Sequence, residues 1–308
     1  MAKSLSSILV VSLGGTITSE VKGGVVRQAG AFWDDKFYQR LDDRFTYSTV
    51  APSGYPSENA TVADYRRALS GIVNAVNSTE PDGVLILHGT DSVAYFAQLA
   101  IRVLSHLNRP VIITGSKLPP SQSGSDAIPN VKLALGFLGA AIEGKTGSKT
   151  FGIVFNDSFT GESTFVNAGV AMSPDIMGDI KSFSDMTSKR KIDFKGQDYR
   201  KRAEAWLAGG GVKGNVLLIP AAPGLPYDSM GLDGVEAVVI GCYHSGTADS
   251  VKLPGLIDRA AEKNIPCYMG PCPSRGNIYD SRDILTRKGV TCISGMPLEG
   301  CWAEAVLG

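Results

Sequence analysis

The sequence predicts an α/β protein with parallel sheets, arranged as a larger N-terminal and a smaller C-terminal domain. Three observations carry this prediction. Short apolar runs alternate with helix-period segments, the pattern of βαβ units covered on both faces. The alternation stops and restarts around a charged stretch flanked by glycines. The 308 residues, at roughly 150 per domain, leave room for two cores.

Taken in order, Ile8–Leu13 reads as the first strand, because a short apolar run, Ile8-Leu9-Val10-Val11, suits a buried strand better than a helix. Thr46–Val50, Gly83–Leu87, Pro110–Thr114 and Phe151–Val154 are the further strand candidates of this half. Between them, Thr61–Val76, Ser92–Ser105 and Ala127–Ile142 read as helices. Thr61, with Asp64 three residues on, resembles a capping box with Asp in place of Glu. From Asn215 a second α/β pattern runs through strands at Val216–Ile219, Ala237–Ile240, Ile265–Met269 and Val290–Ile293, with a helix at Ser250–Lys263.

The predicted domains are therefore 1–190 and 214–308, with 191–213 as a linker. Ser188 to Glu204 holds ten charged residues and leads to Gly209-Gly210-Gly211, a composition that suits an exposed connector. Its basic triplets, Lys189-Arg190-Lys191 and Arg200-Lys201-Arg202, are broken up by Asp193, Asp198 and Glu204. A solvated face is the better reading than a nucleic-acid patch.

Lys plus Arg and Asp plus Glu each total 30, so no global field favours a polyanion or an anionic membrane. Nucleic acid is not an expected partner. The longest apolar runs fall far short of the roughly 20 residues that span a bilayer, and no signal-type apolar stretch opens the chain; a cytoplasmic protein is expected. Glycine, at 36 residues, is in excess but has no three-residue period, which excludes collagen. The five cysteines all lie in the last quarter of the chain, without a C-x-x-C pair, and read as buried free thiols rather than a metal site or disulfide framework.

Ligands of open α/β sheets bind beyond the carboxyl ends of the strands, so the residues after each apolar run carry the functional expectation. The first strand ends in Gly14-Gly15-Thr16, where a tight turn exposes backbone N–H groups and a hydroxyl follows. Thr16 is a candidate nucleophile beside an oxyanion site; a plain turn is the alternative. The third strand ends in His88-Gly89-Thr90-Asp91. There Asp91 could cap the next helix or bind an amine, Thr90 could orient a water, and His88 reads as a packed structural histidine. Ser57-Glu58-Asn59, Thr114-Gly115-Ser116-Lys117 and Ser125-Asp126 complete the set. Each polar group alone could be a cap, but together they describe a polar pocket of amino-acid size.

No G-x-G-x-x-G or Walker A segment is present, and no cofactor or metal is expected. Neither a G-x-S-x-G segment nor a convincing triad histidine among His88, His106 and His244 supports a serine hydrolase.

Gly14-Gly15-Thr16-Ile17 and His88-Gly89-Thr90-Asp91-Ser92, at their spacing, resemble the bacterial-type L-asparaginase/glutaminase family. Ser57-Glu58-Asn59, Arg109 to Ser116, Ser125-Asp126 with Asn130, and Tyr243-His244-Ser245-Gly246-Thr247-Ala248 are similar to further segments of that family in the same order. The resemblance implies a flavodoxin-like N-terminal domain, a smaller α/β C-terminal domain, and a homo-oligomer, dimer or tetramer, with sites shared between neighbouring subunits. It also implies hydrolysis of the side-chain amide of L-asparagine or a related small amide, without cofactor. Carried over by position, Thr16 would be the nucleophile, Thr90 the second catalytic threonine, and Asp91 the partner of the substrate ammonium. Ser57 would hold the substrate carboxylate and Glu58 would lie near the ammonium, with Gly15, Gly89 and Ser116 lining the same pocket.

Two positions depart from the family pattern. Gly23-Gly24-Val25-Val26 stands where the family has a tyrosine, and no lysine occurs between Lys149 and Lys181, where the family has one. A hydroxyl nucleophile needs an activating base. One substitute is Lys117, if desolvation in its loop made it a base. An amino-acid-binding pseudoenzyme is the alternative function, and an amidotransferase component passing ammonia to a partner is a third.

Overall fold

The computed structural model describes residues 5–28, 33–145, 150–156, 163–167, 199–276 and 278–308. The chain divides into two compact units, residues 1–191 and 192–308.

The first unit is built on a six-stranded sheet. Its strands are β1 (Ser6–Ser12), β4 (Phe45–Val50), β5 (Gly83–Leu87), β6 (Val111–Thr114), β7 (Phe151–Asn156) and β8 (Ser163–Asn167), in the order β4-β1-β5-β6-β7-β8. All pairs are parallel except β7 with β8. The central strands are buried along their length because both faces are covered. Ile8, Val10, Leu85, Leu87, Ile112 and Val154 point to one face, where they pack with Ala127, Val131, Leu135 and Leu138 of α4 (Ala127–Ile142) and with Tyr38 of α1 (Asp35–Leu41). Alternate residues such as Leu9, Val11, Val84 and Ile86 face the other way and are equally buried. Helices α2 (Val62–Thr79) and α3 (Val93–Leu104) pack against each other and against this sheet.

The α2 start follows the sequence signal: the Thr61 side chain accepts from the Asp64 N–H, and the Asp64 carboxylate accepts in return from the Thr61 N–H. The flavodoxin-like order places β1 between β4 and β5, so chain connections leave β1 in opposite directions. The crevice beyond the carboxyl ends of β1 and β5 is the topological switch point.

After β1 the chain makes a single 3-10 turn at Thr16–Thr18 and then a hairpin, β2 (Ser19–Lys22) and β3 (Val25–Gln28), closed by Gly23-Gly24. Val21, Val25 and Val26 of this hairpin are exposed. The stretch that stands where the family has a tyrosine therefore contains a two-residue turn with both glycines at positive φ, a geometry that suits a tight hairpin. The stretch lacking the family lysine lies outside the described residues except for Thr150, β7 and β8.

The second unit carries four parallel strands, β9 (Asn215–Ile219), β10 (Val235–Gly241), β11 (Cys267–Cys272) and β12 (Thr291–Ser294), ordered β12-β11-β10-β9. Leu253, Leu256 and Ile257 of α6 (Leu253–Glu262) and Leu285 of α7 (Asp280–Arg287) join Val238, Ile240 and Met269 in one core. Helix α8 (Leu298–Leu307) packs on β9, β10 and β11.

The expectation of a solvated linker over 191–213 is corrected from residue 199 onward; residues 191–198 lie outside the described set. Tyr199–Leu207 forms helix α5, with Tyr199, Ala203 and Trp206 buried. Tyr199 and Arg202 both donate to the Glu304 carboxylate, at 2.7 and 2.8 Å, and the Trp206 indole donates to the Val212 carbonyl. Of the charged residues that suggested a connector, Arg200, Lys201, Arg202 and Glu204 belong to this helix and lie off its buried side. Its apolar side repeats at 199, 203 and 206, at helical spacing.

Candidate functional site

Four loops leave the carboxyl side of the first unit's sheet and meet there. Their junctions are main chain against main chain. A Cβ built on Gly15 would stand 2.3 Å from the Gly89 Cα, and Gly15 holds φ +83°. A Cβ on Gly89 would stand 2.4 Å from the Ser57 Oγ. Both positions thus require glycine, and the requirement brings the loops of Thr16, Thr90 and Ser57 into contact. Below this junction, the Leu13 N–H donates to the Leu87 carbonyl and the Tyr55 N–H to the Leu13 carbonyl.

The first loop is held from within. The Gly15 carbonyl accepts from the Thr18 N–H, the Thr18 hydroxyl and the Ser19 hydroxyl, and Trp33 donates to the Ile17 carbonyl at 2.7 Å. Thr16 and Thr90 are each half-buried. Their hydroxyls have no hydrogen-bond partner among the described residues, whereas Thr18, two positions on, has one.

Ser57 is buried and opens a 3-10 turn, Ser57–Asn59, with Glu58 exposed on the same turn. Its hydroxyl donates to Asp91 Oδ2 at 3.3 Å and accepts from the Asp91 N–H at 3.4 Å. Ser92 donates to the Ser57 carbonyl at 2.6 Å. Asp91 is therefore not a helix cap: Ser92 is the N-cap of α3, and the exposed Asp91 carboxylate reaches across to Ser57.

His88 fills the space beneath these loops. It is fully buried, stacked on Phe96 with ring centroids 4.6 Å apart. Its Nδ1 lies 2.7 Å from the Gly89 carbonyl and its Nε2 lies 3.1 Å from the Tyr55 hydroxyl. A carbonyl can only accept, so Nδ1 carries the proton and Nε2 accepts from Tyr55. Burial pushes the imidazole down to about 4, so the ring is neutral at pH 7. His88 is the structural histidine that its strand-end position suggested. Tyr55, which locks it, carried no periodic or motif signal in the sequence.

The third strand-end loop is fixed by Asp126. Its carboxylate accepts from the Lys117 N–H at 2.9 and 3.0 Å, from the Leu118 N–H at 3.2 Å, and from Asn130 Nδ2 at 3.0 Å. Asn130 also donates to the Gly115 carbonyl at 2.8 Å. Asp126 is the N-cap residue of α4 but makes no side-chain cap bond; its oxygens are turned to the loop instead. Ser116 is buried and donates to the Leu118 carbonyl. The Lys117 side chain is exposed in this unit.

Beside the first loop, a cavity of 130 Å³ opens between the ends of β1 and β4, lined by Ser12, Thr18, Trp33, Tyr38 and Thr49 among others. None of the predicted site residues lines it. In the second unit, the segment after β10 is a closed loop in which the Tyr243 N–H donates to the Thr247 carbonyl and the Gly246 N–H to the Tyr243 carbonyl. Among the described residues no group of three or more His, Cys, Asp or Glu side chains is placed to hold a metal ion, and no helix is long and apolar enough to cross a membrane.

Comparison with known proteins agrees with this architecture. Two curated relatives are named as subunits of a glutamyl-tRNA(Gln) amidotransferase. One, from Methanopyrus kandleri, is 26% identical over 93% of this chain, and the other, from Thermococcus kodakarensis, is 24% identical over 93%. The chain spans 66% and 68% of their lengths. L-asparaginase 1 of Escherichia coli K12 is 32% identical over 42% of this chain and 39% of its own length. Among solved structures, the thermostable L-asparaginase of Thermococcus kodakarensis superposes with a TM-score of 0.67, at 20% identity, over 98% of this chain and 92% of that one. The family model described as "Asparaginase, N-terminal" matches residues 7–173, which hold the whole switch-point crevice, and the chain belongs to the asparaginase family.

Proposed function

We propose that the protein is an amidohydrolase that releases ammonia from the side-chain amide of L-asparagine or a related small amide. The observation that carries this reading is the Gly15–Gly89 junction. It brings together two loops, each bearing a half-buried threonine whose hydroxyl is uncommitted, beside the Ser57–Asp91 pair. In this reading Thr16 Oγ attacks the carboxamide carbon and its proton passes to the leaving nitrogen. Ammonia departs, and a water oriented by Thr90 cleaves the resulting ester. Asp91, with Glu58 nearby, receives the substrate ammonium, and the Ser57 hydroxyl donates to its carboxylate, charge-assisted pairings that select a zwitterion. Lys117 is given no part in proton transfer.

An ammonia-release assay on asparagine, glutamine and a panel of small amides tests this. Activity is expected on at least one, with Thr16→Ala and Thr90→Ala each lowering kcat/KM by about 10³-fold or more and Lys117→Met leaving it within about threefold. A folded protein inactive on every amide overturns the reading. If calorimetry then detected amino-acid binding without ammonia release, the pseudoenzyme reading would replace it, consistent with the missing tyrosine and lysine.

The names of the relatives that match over most of the chain favour a second reading, in which the ammonia is delivered to a partner protein as part of an amidotransferase. Release that stays low with the isolated chain and rises on adding such a partner would select it. A homo-oligomer and a cytoplasmic setting remain part of the proposal; sedimentation equilibrium tests the former.

A further inference from the structure

The five cysteines form no disulfide, but two of them meet at the carboxyl end of the second unit's sheet, with a third nearby in β12. Cys242 follows β10 directly, Cys272 ends β11, and Cys292 lies in β12. The sulfur atoms of Cys242 and Cys272 are 3.9 Å apart. The Cys272 thiol also donates to the Met269 carbonyl at 3.5 Å, and the Arg282 charge acts electrostatically on Cys292 and Cys272. One Arg282 nitrogen donates to the carbonyl of Pro273 at 3.3 Å, while its Nε is buried without a hydrogen-bond partner.

The positive charge of Arg282 beside the cluster favours an anion among the thiols. The bond from Cys242, aided by the nearby Cys292 thiol and the Arg282 charge, lowers Cys272 below the usual thiol range. Cys242 moves the opposite way, raised mainly by its bond to Cys272, and so keeps the proton it donates. Cys267, on the same strand but with no cation near it, is pushed up to about 11 by burial. Cys242 and Cys292 are half-buried and Cys272 is 3% exposed, so the cluster is reached from the Cys242 and Cys292 side.

We propose that Cys242 and Cys272 are an oxidisable dithiol that a peroxide closes to a disulfide, with Cys272 the attacking thiolate, Cys242 the resolving thiol and Arg282 the positioning cation. The Cys272 thiolate attacks one peroxide oxygen. The O–O bond breaks, Cys272 becomes a sulfenic acid, and the second oxygen leaves as an alkoxide that takes up a proton to become the alcohol. The Cys242 sulfur then attacks the sulfenyl sulfur, the S–S bond forms, and the hydroxide leaves as water with the Cys242 proton. Two thiols and one peroxide thus give one disulfide, one alcohol and one water. The bond would tie the root of the Tyr243–Thr247 loop to the end of β11, where Gly246 already packs against Pro273.

The test treats the reduced full chain with tert-butyl hydroperoxide at neutral pH, alkylates the remaining thiols, and maps the peptides by mass spectrometry. A Cys242–Cys272 cross-link that dithiothreitol reverses is expected, with Cys267 still alkylated. In Cys242→Ser, dimedone is expected to trap Cys272 as its sulfenic acid. Arg282→Gln, with folding verified by thermal melting, is expected to slow cross-linking about tenfold. Survival of both Cys242 and Cys272 as alkylated thiols, or a Cys272–Cys292 cross-link instead, overturns the pairing. Wild-type rates in Arg282→Gln overturn the role of the arginine. None of these readouts depends on amide hydrolysis, so the proposal stands or falls apart from the proposed function.

Discussion

His88 connects the chemistry of single residues to the pH range in which the protein is stable. Its imidazole titrates near 6.5 when unfolded and at about 4 in the fold, because burial disfavours the cation. The unfolded chain therefore binds the proton first as pH falls. The stability contributed by neutral His88 is complete above about pH 6.5 and is lost progressively between there and about pH 4, up to about 3 kcal/mol. Urea midpoints measured from pH 7 to pH 4 should fall accordingly, and His88→Asn should flatten that decline. Tyr55→Phe leaves the Nε2 acceptor buried and unpaired, at a cost of about 1–3 kcal/mol, read in the same titration at pH 7. At the loop junction, Gly89→Ala drives a methyl into the Ser57 hydroxyl. It should cost about 1–3 kcal/mol and reduce amide hydrolysis together with stability.

Among the elements, α2 shows how far local chemistry reaches. The Thr61–Asp64 reciprocal bonds place its start one residue from the predicted one, and Thr61→Ala should destabilise the first unit by about 1 kcal/mol, measurable as a lowered urea midpoint. The parallel strands were legible for a related reason: Gly83–Leu87 and Val111–Thr114 are buried on both faces and so read as continuous apolar runs. Helix α5 was not legible, because its buried face is only Tyr199, Ala203 and Trp206 amid many charges, and its partner Glu304 lies about a hundred residues away in sequence. The β2–β3 hairpin was hidden by the opposite effect, since Val21, Val25 and Val26 are apolar residues on an exposed ribbon. Of the candidate site, the loops that carry the glycines, Thr16, Thr90, Ser57 and Asp91 could be read from their places beyond the strands; the roles of these residues remain part of the proposal. The Tyr55–His88 lock and the use of Asp126 could not, because both are long-range pairings of groups with no shared sequence period.

At the scale of the whole molecule, each unit carries its own core and its own reporters: the buried Trp33 in residues 1–191, and the buried Trp206 together with Trp302 in residues 192–308. Leu256→Ala opens a cavity in the second core, where Leu256 is fully buried. In a Trp33→Phe background, the unfolding followed by the remaining tryptophans should shift by about 2–5 kcal/mol. An unchanged midpoint would mean that the second core relaxes around the gap.

The grip of Asp126 on the third loop bears on how such a molecule could change over generations. Asp126 holds residues 117 and 118 through their main-chain N–H groups, which every residue except proline possesses. The course of the loop is thus indifferent to which side chain stands at position 117. That position can drift, or be varied by design, altering what is presented at the rim of the crevice without altering where it is presented.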